Sequence, residues 1–398
     1  MNAPLHTGLS PDPRRKGQVF TPSFVVSRML ALRQNYGRVL EPACGDGAFL
    51  KEVPDAVALE IDPVIAPRTA TVMDFFAYPE TEKFDTIIGN PPYVRSRDIL
   101  PETTARLTSR LLDGHANLYL HFIEKCVRHL KPGGELIFIT PREFLKSTGA
   151  RRLNVWLFSE GTITDLIELG DQRVFHEATP NCVIWRFERS NHLHHTHDGR
   201  RMLLADGQIL VARGDYTVRA SDIFSVRVGS ASGADAVFEH ATLGDTDFVC
   251  SHTRKTAQTR RMIFNAADNT SAPDALAWLQ QHKARLLERK VRPFDESNWW
   301  QWGRVHAATN EPRIYVNMRT REQQPFYQHA CRHWDGTVLA LFPHKRDADM
   351  TKLTAMLNSV DWHELGFVCD GRFLFAQRSL EQTLLPEGFL EFAVSGVV

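Results

Sequence analysis

Cysteine is scarce in this sequence: six residues in 398, at positions 44, 126, 182, 250, 331 and 369, with no Cys-x-x-Cys pair. That spacing argues against a disulfide framework and against a thiolate zinc site. Long apolar runs are also missing, and none approaches the length that spans a bilayer. The polar stretch from Met1 to Gly17 lacks the apolar core of a secretory signal. No membrane partner is therefore expected, and the cytoplasm is the expected compartment. No Gly-Lys-Ser or Gly-Lys-Thr occurs, which excludes a nucleoside-triphosphate loop. Net charge is absent too, with 47 Lys+Arg against 47 Asp+Glu, and by itself this disfavours a general nucleic-acid binder.

What is present suits two packed domains, with 43% hydrophobic and 24% charged residues. The charge is unevenly distributed. From Ser251 to Arg346 there are 16 Lys+Arg against 8 Asp+Glu, which leaves 31 against 39 elsewhere. A second half that approaches phosphates while the first half does other chemistry fits this asymmetry, and a solvated basic surface is the plainer alternative.

The first half alternates short apolar runs with helix-like segments. The runs are Gly37 to Leu40, Ala56 to Ile61, Ala70 to Met73, Phe84 to Gly89 and Glu135 to Thr140, and the clearest helical segment is His115 to Leu130. This is the pattern of an α/β protein with a doubly wound, mostly parallel sheet. Runs at Ile163 to Leu169 and Cys182 to Phe187 are candidates to complete the sheet. The four histidines between Asn191 and Gly199 lack a matching carboxylate or cysteine set, so a solvated loop is expected there and no metal site.

Ligands of such sheets gather beyond the carboxyl ends of the strands, and two sharp motifs sit at such ends. The first is Glu41-Pro42-Ala43-Cys44-Gly45-Asp46-Gly47, whose glycines allow a tight turn and leave room for a ligand. Glu60 with Ile61 follows the next strand, as an acid reading ribose hydroxyls would, and Asp74-Phe75 follows the third, offering a carboxylate and a ring to an adenine. A helix cap or a surface acid is the alternative for Glu60 and Asp74 taken singly. The second motif is Asn90-Pro91-Pro92-Tyr93. Asn90 and Pro91 each precede a proline and are pushed into an extended conformation, so the turn is stiff. Its side-chain amide oxygen and the Pro91 carbonyl can then accept the two hydrogens of one amino group, with Tyr93 stacking on the ring that carries it.

These motifs resemble those of the class I S-adenosyl-L-methionine-dependent DNA methyltransferases of the amino-methylating kind, in the order of their γ group, which includes type II modification enzymes. The resemblance implies a class I methyltransferase domain over residues 1–225 and an α+β target-recognition domain over 226–398. Gly17 to Pro22 resembles the amino-terminal cofactor motif, so Phe20, Thr21 and Pro22 are expected beside the methionine part of the cofactor. Glu41, Pro42, Ala43, Gly45, Asp46 and Gly47 correspond to its cofactor loop, Glu60 and Ile61 to its ribose site, Asp74 and Phe75 to its adenine contacts, and Asn90 to both cofactor and catalysis. Asn117-Leu118-Tyr119 and Leu130 to Gly134 match the next blocks. Val174-Phe175 resembles the later block whose aromatic ring, here Phe175, packs on an extruded base.

The second half is similar to the group's specificity domain in Phe224 to Ala234, in Trp278 to Arg289, in Trp299-Trp300-Gln301-Trp302 and in Leu357-Asn358-Ser359. Arg254, Lys255, Arg260 and Arg261 form a dense polar run and are candidate phosphate ligands, and Trp299 and Trp300 are candidates to stack on bases, with burial in a core as their alternative. The implied reaction is methylation of adenine N6 in double-stranded DNA, without a metal. Cytosine C5 chemistry would need a nucleophilic cysteine beside a proline, and no Pro-Cys dipeptide occurs. Cytosine N4, ribosomal RNA and a protein glutamine are alternative amino-group substrates, and a non-catalytic DNA-recognition subunit is the alternative from another class. A cognate restriction endonuclease is a candidate partner, and a monomer or weak dimer the expected assembly.

Overall fold

The computed structural model describes residues 20–169, 181–265, 272–306, 308–369 and 371–394. The chain divides into two compact units between Arg213 and Gly214, twelve residues before the boundary expected from sequence. Strand pairing explains the difference. Tyr216–Arg219 pairs antiparallel with Leu384–Pro386, near the far end of the second unit, so residues 214–225 belong there.

In the first unit, helix α1 (Ser23–Leu30) precedes strands β1 (Val39–Glu41), β2 (Val57–Glu60), β3 (Thr71–Val72) and β4 (Phe84–Gly89). Helices α2 (Pro101–Thr104) and α3 (Leu118–His129), strand β5 (Leu130–Pro141), helix α4 (Arg151–Glu160) and strands β6 (Gly161–Glu168) and β7 (Cys182–Arg189) follow. The seven strands form one sheet in the order β3-β2-β1-β4-β5-β7-β6. All of its pairings are parallel except those of β7, which runs antiparallel between β5 and β6. Both late apolar runs therefore do complete the sheet. A hairpin of β8 (Arg201–Ala205) and β9 (Gln208–Ala212) closes the unit.

The sheet is covered on both faces, which is why its central strands read as nearly continuous apolar runs. Side chains alternate between the faces. Leu40, Ile87, Leu136, Phe138 and Trp185 share one cluster with Ile123 and Val127 of α3 and Leu153 and Leu157 of α4. Val39, Ile88, Ile137, Ile139 and Ile184 share the other with Val25, Val26 and Met29 of α1. Helix α3 starts later than its apolar pattern because the Asn117 side chain caps it, accepting from Tyr119 N at 3.4 Å. One charged pair lies inside this core. Glu135 of β5 accepts from Arg186 Nε of β7 at 2.7 Å, from Thr86 Oγ1 at 2.9 Å and from the backbone N–H of Asn35 at 2.9 Å. Burial of that pair is tolerable because these further bonds occupy the carboxylate.

The second unit is α+β. Its four-stranded sheet contains Phe224–Val228, Val338–Pro343, Ile314–Asn317 and Phe326–Tyr327 in that spatial order, all antiparallel. A three-stranded sheet contains Arg260–Met262, Thr246–Val249 and His333–Trp334. Helix Pro273–Gln281 packs Leu279 into an aromatic core with Phe238, Phe248, Trp299 and Trp302. Among the described residues no helix is long and apolar enough to cross a membrane.

Candidate active site

Strands β2 and β4 flank β1 on opposite sides, so the order of the sheet reverses there and a crevice opens beyond the strand ends. Sequence places Glu41 at the end of β1, Glu60 at the end of β2, Asp74 just past β3 and Asn90 just past β4. The crevice is a cleft with two lobes. The larger, about 840 Å³ with its open mouth, is lined by Pro42, Glu60, Ile61, Asp74, Phe75 and Pro92, among others. The smaller, about 270 Å³, is lined by Thr21, Glu41, Cys44 and Asp46. Phe20, Ala43, Gly45 and Asn90 line both lobes, so Asn90 stands where they meet.

The backbone of the first motif shapes this junction. Gly45 takes φ +55°, and a Cβ there would meet no atom within 4 Å, so a side chain would project into the cleft. Gly47, at φ +81°, sits tightly in the turn, where a Cβ would lie 2.8 Å from Pro67 Cγ. It shapes the loop and does not line the cleft. Pro22 lies outside the lining too. Its carbonyl accepts from Val25 N at 2.9 Å and Val26 N at 3.1 Å, which starts α1, and this fixes Phe20 and Thr21 at the rim. Phe20 is 58% exposed.

Two acids in the cleft differ in their partners. Glu60 is held by two backbone donors, Gly45 N to Oε2 at 2.8 Å and Asp62 N to Oε1 at 2.9 Å. Glu41 is 1% exposed, and its Oε2 has no hydrogen-bond partner. Burial, with Asp46 and Glu60 nearby, pushes its carboxyl up to about 8. Burial first, then the neighbouring Glu41, Glu60 and Asp46, push the Cys44 thiol up to about 12, so it is no nucleophile at neutral pH.

The second motif is braced as its prolines require. Pro91 is buried, Pro92 faces the larger lobe and Asn90 Nδ2 donates to Thr21 Oγ1 at 3.2 Å. Tyr93 is half-buried and lines neither lobe; its hydroxyl donates to the Ile139 carbonyl at 2.9 Å and its ring meets Tyr119 edge-on at 5.9 Å. Asp74 lines the larger lobe but its carboxylate is engaged: Oδ1 accepts from Phe76 N at 2.9 Å, and Oδ2 from Thr103 Oγ1 at 2.9 Å and Arg106 Nη1 at 3.2 Å. Phe175 lies outside the described residues.

Sequence reasoning missed the far wall of the larger lobe, formed by Val94, Ile99, Leu100 and Thr103. One signal was available: Pro101 sits at the first position of α2, a common helix start, which returns the chain after Asn90-Pro91-Pro92-Tyr93 to the cleft.

The cleft fits S-adenosyl-L-methionine. An unpartnered buried carboxylate oxygen in the polar lobe suits an ammonium, a braced acid at a strand end suits a ribose diol, and an apolar lobe with Phe75 and Phe76 suits a purine. Residues 62–175, which carry Asp74 and Asn90 to Tyr93, match the Eco57I restriction-modification methylase family. The chain is similar in sequence to type II DNA methyltransferases. It is 37% identical over 198 residues to type II methyltransferase M.TthHB8I of Thermus thermophilus, covering 44% of this chain and 46% of that protein. It is 29% identical over 190 residues to type II methyltransferase M.HincII of Haemophilus influenzae, covering 44% and 38%. The match thus spans less than half the length of either relative. The solved type IIL restriction-modification enzyme MmeI in complex with DNA is similar in fold, with a TM-score of 0.58 at 13% identity over 90% of this chain and 64% of that one. The first unit has the class I methyltransferase fold.

The candidate DNA ligands of the second unit divide. Trp299 is 5% exposed and packs in the aromatic core with Trp302, whose indole donates to the Ile263 carbonyl at 2.9 Å. It is a core residue, because a ring that large is worth most out of water. Trp300 is half-buried, edge-on to Trp299 at 5.6 Å. Arg260 faces three carboxylates of its own unit, Glu239 at 3.5 Å and Asp235 and Asp335 at 3.7 Å, so it is neutralised internally. Arg261 is exposed and 3.6 Å from Asp247. Arg254 is half-buried and Lys255 exposed. Among the described residues no cluster of His, Cys, Asp or Glu is arranged to hold a metal, and His194 of the histidine-rich loop stacks on Phe158 at 3.8 Å.

Proposed function

We propose that this protein transfers a methyl group from S-adenosyl-L-methionine to N6 of an adenine extruded from double-stranded DNA. The observation that carries the reading is the position of Asn90, at the junction of a polar and an apolar lobe beside the point where the sheet order reverses. When bound, the cofactor supplies a methyl group on a positively charged sulfur. Glu41 would hold its ammonium, Glu60 its ribose and the Phe75 lobe its adenine.

The chain's own part is positioning and electrostatics. The two prolines hold Asn90 and the Pro91 carbonyl in one orientation, so both oxygens accept the hydrogens of the target amino group while it gains positive charge. Thr21 fixes the plane of the Asn90 amide. Extrusion is required because N6 is otherwise paired, and it costs roughly a few kcal/mol. Tyr93, anchored through its hydroxyl, offers ring surface to offset that cost. Asparagine at position 90 rather than serine favours adenine N6 over cytosine N4.

Asn90→Ala tests the reading. Labelled methyl transfer to DNA should fall by at least about 100-fold, with cofactor binding by calorimetry nearly intact, and unchanged transfer refutes the assignment. Parallel assays on RNA and on a protein release factor separate the competing substrates. Sequencing DNA from a methylation-free host that expresses the chain identifies the modified base.

A further inference from the structure

The cations of the second unit differ in what they face. Arg289 and Arg313 turn inward: Arg289 donates to the carbonyls of Leu286, Ser232, Gln301 and Trp299, and Arg313 to those of Glu311 and Arg332. Arg260 is matched by carboxylates. A second group turns outward. Lys255, Arg319 and Arg321 are exposed and make no ion pair among the described residues.

Two segments carry this outward group, and the fold joins them. Arg254 and Lys255 lie on the short helix Thr253–Thr256; Arg319 and Arg321 lie on the strand and turn that lead to Gln324. Arg254 Nε donates to the Gln324 carbonyl at 3.0 Å, and Asn317 Nδ2 donates to the Ser251 carbonyl at 2.6 Å. The Arg254 guanidinium also lies 5.9 Å from the centre of the Tyr327 ring. Glu322 is the one acid on the two segments.

We propose that Lys255, Arg319 and Arg321, braced through Arg254, form the face on which the second unit grips the phosphate backbone of duplex DNA. The face positions the duplex and does not read its sequence, since backbone contacts carry no base information. Arg260 and Trp299, both suggested by sequence, are absent from it. The proposal rests on the methyltransferase reading in that it takes duplex DNA as the partner.

Each neutralised phosphate adds about 0.9 to the slope of log affinity against log salt. The Lys255→Ala/Arg321→Ala double variant should therefore bind short duplexes of mixed sequence with a slope shallower by about 2, while the modified base and cofactor affinity stay as in the parent. Arg285→Ala/Lys290→Ala removes the same charge from exposed positions on another segment and should leave the slope nearly unchanged. Equal slopes for parent and first variant, or equal losses in both variants, overturn the face while leaving the methyltransferase reading intact if the parent still methylates DNA. A parent that neither binds nor methylates DNA overturns both.

Discussion

The two units treat polar side chains in opposite ways. In the first, acids and amides at strand ends face a shared cleft, and Glu41 Oε2, buried in its polar lobe, has no hydrogen bond. In the second, several side chains from the segments similar to a specificity domain turn into the unit's own core. Arg289 is 7% exposed and bonded to four backbone carbonyls, and Trp299 and Trp302 are packed with Phe238 and Phe248. Asn358, in the segment similar to the specificity domain, bonds both backbone groups of Phe326 at 2.9 Å and so tethers a strand. The lesson is that a count of cations or aromatic rings measures surface only after internal partners are subtracted.

Three measurements sharpen or break this contrast. Arg289→Ala removes the donors to four carbonyls and should lower stability by at least about 3 kcal/mol, read as a fall in the thermal midpoint. An unchanged midpoint would mean that Arg289 is dispensable to the core and would erase the contrast at its strongest point.

The next effect concerns pH. Glu41 ionises near its ordinary value of 4.5 when unfolded but at about 8 in the folded protein. Between those values the folded chain holds a proton that the unfolded chain has released, so cofactor-free protein should lose stability as pH rises from about 5 to 8. Glu41→Gln should flatten that slope. Ligand binding that brings an ammonium to Glu41 should release a proton below about pH 8, detectable by calorimetry in buffers of different ionisation heat. Binding without proton release would place the ammonium elsewhere.

The smallest effect is expected at Arg106, whose half-exposed guanidinium holds Asp74 against the wall formed by α2. Exposed pairs contribute about 0.2–1 kcal/mol, so Arg106→Ala should weaken cofactor binding by roughly two- to five-fold and leave turnover at saturating cofactor unchanged. No change in affinity would show that Thr103 alone suffices to hold Asp74.

Much of the first unit was legible in sequence because its signals are local. Apolar runs bounded by Gly, Pro and acidic residues marked β1, β2 and β4, and the prolines of the second motif restrict their own backbone wherever they lie. The domain boundary was not legible, because residues 216–219 find their partner at 384–386. Nor was the inward turn of Arg260, whose acidic neighbours come from positions 235, 239 and 335.

Chain order alone determined which groups end the strands: an acid after the first and second, Asp74 after the third, and an amide between strand and prolines after the fourth. Those follow from side-chain alternation and proline sterics, which act over a few residues. Tertiary structure decided that β1 and β4 lie side by side, that Asn90 reaches Thr21 across 69 positions, and which cations of the second unit face water. Such outcomes depend on which distant carbonyls and carboxylates are brought near, and burial then makes an unpaired charge too costly to leave unmatched.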